Sequence, residues 1–77
     1  MTTLNDAIGL LESGDWETAH GIVQKDLSEL GCWAHGIVHL MEGDLKNSSH
    51  WYGRAGRERP DPTQIPDEIA ALKSEAL

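Results

Sequence analysis

The chain has 77 residues, 13 Asp and Glu against 6 Lys and Arg, and a formal net charge of −7. A length of this order allows one domain with a thin core, burying roughly 60% of the surface its unfolded form exposes. The acidity opposes nucleic-acid binding, which is driven by Lys and Arg releasing counterions from phosphates. The single cysteine, Cys32, excludes an internal disulfide.

No stretch approaches the ~18 apolar residues of a membrane span. The opening Met1-Thr2-Thr3-Leu4-Asn5-Asp6 lacks the basic start and apolar run of a signal peptide. The expected setting is therefore cytoplasmic, without membrane or nucleic-acid partners.

Leu4, Ala7, Ile8 and Leu11 recur at helical spacing and predict a first helix, which Gly14 stops. Asp15 is placed to cap a second helix. Its stripe is Trp16, Ala19, Val23, Leu27 and Leu30, with Gly31 as the predicted end. A third helix is expected from about Cys32 to Glu42, with Trp33, Ile37, Leu40 and Met41 on one face. Gly43-Asp44 repeats the hinge, and Leu45, Ser48, Tyr52 and Ala55 form a fourth stripe, with Trp51 beside it and Gly56 as its end. The segment 58–65 reads as a proline-punctuated linker. A last helix over 66–77 follows, with Pro66, Asp67 and Glu68 suited to its first turn. Its Ile65, Ile69 and Leu72 would dock it on the rest.

The fold class these signals predict is all-α: two antiparallel helical hairpins, residues 1–30 and 31–57, with a C-terminal capping helix. Leu11-Glu12-Ser13-Gly14-Asp15-Trp16 aligns with Leu40-Met41-Glu42-Gly43-Asp44-Leu45, so the hairpin is an internal repeat. The second copy resembles a tetratricopeptide repeat. Gly36, Gly43, Leu45, Ser48, Tyr52, Ala55 and Pro60 fall on that family's small, turn, large, alanine, aromatic, alanine and proline positions. Cys32, His35 and His39 depart from its pattern. The first copy matches through Ala7, Gly14, Trp16 and Ala19. The resemblance implies stacked hairpins that bind a protein or peptide. Trp33-Ala34-His35, His39, Glu42-Gly43-Asp44, Trp51-Tyr52 and Arg54-Ala55-Gly56-Arg57 also resemble a run in a group of short bacterial proteins of unknown function.

Three constellations carry chemistry. Cys32, His35, His39 and Glu42 line one side of the third helix. The His35–His39 spacing lets two imidazoles reach one metal ion, with Cys32, Glu42 or His20 adding ligands for zinc or a similar divalent ion. The alternative is a solvated or half-buried polar face. No HExxH core is present, because Gly36, Ile37 and Val38 separate the histidines. Trp51, Arg54 and Arg57 are the candidate binding residues: an aromatic anchor beside guanidinium groups that capture carboxylates. Cys32 with His35 offers a thiol–imidazole pair, but no nucleophile elbow, phosphate loop or dinucleotide fingerprint accompanies it. The expectation is a non-enzymatic module that binds a protein, a peptide or a second copy of itself. A small metal-binding protein using His20, His35 and His39 is the alternative.

Overall fold

In the computed structural model the described residues are 3–77, and they form five α-helices and no strand. Met1 and Thr2, which belong to the predicted first hairpin and to the leader reading, lie outside the described residues. Helix α1 spans Leu4–Glu12, and Thr3 starts it as a capping box. Thr3 Oγ1 accepts from the Asp6 N–H while Asp6 Oδ2 accepts from the Thr3 N–H at 2.9 Å. Helix α2 spans Trp16–Val23, and the Asp15 carboxylate accepts from the Thr18 N–H at 3.1 Å. Helix α3 spans Glu29–Glu42 and α4 spans Leu45–Arg54, the latter capped by Asp44 through the Asn47 N–H at 3.2 Å. After a single 3₁₀ turn at Pro62–Gln64, helix α5 spans Ile65–Ala76.

The two predicted glycine–aspartate hinges share one geometry. Gly14 has φ 87° and Gly43 has φ 89°, a left-handed conformation that costs a side-chain-bearing residue about 1–2 kcal/mol. At each hinge two N–H groups fold back on the finished helix. Asp15 N donates to Leu10 O and Gly14 N to Leu11 O; Asp44 N donates to His39 O and Gly43 N to Leu40 O. Otherwise orphaned carbonyls are thereby satisfied.

The break between the second and third helices differs from expectation. Helix α2 ends at Val23, and α3 begins at Glu29, so Gly31 lies inside a helix rather than after one. Ser28 starts α3 by accepting the Gly31 N–H at 3.1 Å, and Asp26 Oδ1 accepts from the Ser28 hydroxyl at 2.6 Å. A Cβ at position 31 would collide with Asp26, so glycine serves close packing there, not helix termination. Leu27, expected on the second stripe, sits in this turn and is 64% exposed. Leu30 belongs to α3.

Helix α3 is the centre of the fold. Every residue from Gly31 to Leu40 is buried, and the helix packs against each of the other four. Trp33, Ile37 and Val38 join Ala7, Ile8, Leu11, Ala19, Val23, Tyr52, Ile69 and Leu72 in one core cluster. Gly36 brings α4 close. A Cβ there would lie 2.5 Å from Tyr52 Cδ2, and the buried Ser48 hydroxyl donates to the Gly36 carbonyl at 2.7 Å. Helix α5 lies across α1 and α3. It is tied down by Glu68, whose Oε1 accepts from Tyr52 Oη at 2.7 Å and from Trp33 Nε1 at 3.1 Å. No described helix is long and apolar enough to cross a membrane.

Candidate metal centre

A central helix buried all round forces its polar residues to find partners inside the molecule. His35 and His39 are one turn apart on α3 and only 4% and 7% exposed. The α1–α2 hairpin brings half-buried His20 to the same place. The ring centroids of His20 and His35 are 4.9 Å apart, those of His20 and His39 5.2 Å, and those of His35 and His39 4.9 Å. One nitrogen from each ring lies within 4.8 Å of the other two. Tetrahedral zinc, with Zn–N bonds of about 2.0–2.1 Å, needs nitrogens about 3.3 Å apart. Half-buried His20 is the least enclosed of the three rings.

Burial favours the neutral form of the His35 imidazole. His35 is pushed down from 6.5 to about 4, first by burial and then by the neighbouring His39, His20 and His50. Its Nδ1 is buried without a hydrogen-bond partner. An orphaned buried nitrogen is costly, and most such atoms in folded proteins are satisfied. His39 Nδ1 lies 2.8 Å from Glu42 Oε1. An ionised carboxylate only accepts, so Nδ1 is the donor in this pair and Nε2 is the ring nitrogen left to face a metal ion. Carboxylate–histidine pairs of this kind orient metal ligands.

Trp51 forms the wall behind His35, with centroids 3.9 Å apart and planes 10° apart. Beside the cluster, a cleft of about 370 Å³ is lined by Trp16, Glu17, His20, His39 and Glu42.

Cys32 is buried as the fourth residue of α3, with Sγ 3.7 Å from the Leu27 carbonyl, and it is not among the converging ligand atoms. A buried thiol with that partner is not an accessible nucleophile. Trp51 is half-buried, and the Arg54 guanidinium lies 5.3 Å from its ring centroid. The Arg57 guanidinium stacks 3.5 Å above the Trp33 ring and donates to Glu75 Oε2 at 2.7 Å. Arg57 thus already holds a carboxylate of its own chain.

Helical spacing brings His35 and His39 together, and the packing of α2 on α3 adds His20. The roles of Trp51 as a wall and Glu68 as a shared acceptor had no local signal, because both depend on which helices meet. Comparison with protein-family models, curated proteins and solved structures finds no match.

Proposed function

We propose that this protein binds a divalent transition-metal ion through His20, His35 and His39, with Glu42 orienting His39. The observation that carries this reading is the convergence of three imidazoles from two helices at a site where one buried nitrogen has no partner. Imidazole sites suit zinc, copper, nickel and iron. The lowered His35 basicity supports it too, because a ligand must be unprotonated to bind.

Metal-stripped, untagged protein tests the proposal. Zinc at a hundred times its Kd should add about 2.7 kcal/mol of stability. In a domain of this size that raises Tm by roughly 10–20 °C, and a chelator should reverse it. No shift with zinc, cobalt or nickel would remove the reading.

An interaction module built on paired hairpins is the second proposal. It rests on architecture and on the thin core, and a fold alone carries no activity. A complex with another chain that survives mutation of all three histidines would favour it.

A further inference from the structure

A four-coordinate ion held by three imidazoles needs a fourth donor. Among the described residues no fourth ligand atom joins His20, His35 and His39. The Cys32 thiol faces the Leu27 carbonyl, and Glu42 is engaged with His39 Nδ1. His50 is exposed and lies edge-on to Trp51. A structural zinc site is closed by four protein ligands and supplies folding energy outright. Here the apolar core cluster draws on all five helices through side chains of its own, and none of the three histidines belongs to it.

The two sides of the cluster differ. Trp51 lies flat on His35 and is not among the residues that line the cleft. His20 and His39 do line it, with Trp16, Glu17 and Glu42. An ion held by the three rings is therefore shielded on the α4 side and open toward the cleft. The walls there are one indole and two carboxylates, on a chain whose net charge is −7. The two carboxylates offset the ion's own charge of +2, and the chain's remaining negative charge then disfavours an incoming anion relative to a neutral donor.

We infer that the tri-histidine centre keeps an exchangeable coordination position facing the Trp16–Glu17–Glu42 cleft, and that it takes a small neutral donor such as water, an amine or an imidazole in preference to an anion. The inference rests on the metal-binding reading above. It makes the ion a site of ligand exchange rather than a structural staple.

The test uses the full chain loaded with Co²⁺, whose visible bands report its ligands. Imidazole and azide are titrated separately, with bound cobalt counted after gel filtration. Imidazole should change the bands saturably while cobalt stays bound, and azide should require at least ten times the concentration. Glu17→Gln should narrow that ratio a few-fold by improving azide alone. Bands that neither ligand moves, with cobalt retained, would show a saturated site and overturn the inference while leaving metal binding intact. Azide binding as tightly as imidazole would overturn the assigned ligand class. A chain that takes up no cobalt, or one in which His39→Asn leaves the cobalt spectrum unchanged, would overturn the tri-histidine reading itself and this inference with it.

Discussion

His35 lies flat against Trp51, ring centroid to ring centroid at 3.9 Å with the planes 10° apart. The indole covers the imidazole and withholds water from it. Burial is the largest cause of the depressed His35 basicity, so the stack should be measurable as a proton affinity. In Trp51→Ala the His35 pKa should climb from about 4 back toward 6.5, read by NMR titration of the ring protons. A value unmoved by the mutation would show that the Trp51 stack is not what holds it down.

The same depression makes the metal-free fold sensitive to acid. Unfolded His35 binds its proton with a pKa near 6.5, and folded His35 near 4. Between those values the unfolded state carries more protons, so stability falls as pH drops from about 6.5 to 4. The full effect is on the order of 3 kcal/mol, at 1.36 kcal/mol per pKa unit. His35→Phe removes the titration while keeping a ring against Trp51. Its urea stability should therefore be nearly flat over that range, although any metal binding would be lost. An unchanged acid limb in the variant would contradict the assignment.

Glu68 fastens α5 through one oxygen that accepts from both Trp33 and Tyr52. Burial first, and then the Glu68 carboxylate, raise the Tyr52 phenol well above its usual range, so it stays a donor. Glu68→Ala leaves two donors of the core without a partner, at about 1–3 kcal/mol each. Chemical denaturation should show a loss of roughly 2–6 kcal/mol. Glu68→Gln keeps an acceptor oxygen and should lose less. Equal losses in the two variants would mean that packing, not hydrogen bonding, is what Glu68 supplies.

Gly36 sets the α3–α4 distance, since a methyl there would sit 2.5 Å from the Tyr52 ring. Gly36→Ala should cost about 1–3 kcal/mol by overpacking, and it should disturb the Ser48–Gly36 hydrogen bond. Gly53→Ala is the control, because nothing lies within 4 Å of a Cβ there. Comparable urea midpoints for the two variants would show that the helices can separate freely.

What the sequence made legible depended on how local each signal is. The Gly14-Asp15 and Gly43-Asp44 hinges were readable because a left-handed glycine and a capping aspartate act within one turn of each other. The His35–His39 pair was readable for the same reason. Gly31 misled, since glycine also permits close contact, and its reason for being there is Asp26. The Ser28 cap that opens α3 overrode the apolar periodicity through Leu27 and Leu30. Glu68 looked like a residue suited to a helix N-terminus, and its contacts with Trp33 and Tyr52 follow only from how α5 docks. Arg57, expected to capture a partner's carboxylate, is committed to the Trp33 face and to Glu75 of its own chain.

Calorimetric titration of zinc into untagged, metal-stripped protein at pH 7.5 probes the tri-histidine centre directly, with His20→Asn, His35→Asn, His39→Asn and His50→Asn in parallel. One zinc per chain should bind the parent and His50→Asn alike. Each of the other three variants should lose at least a hundredfold in affinity while remaining helical by circular dichroism. Absent binding, or an affinity indifferent to His20, His35 and His39, would contradict the claim that these imidazoles converge to hold a metal ion.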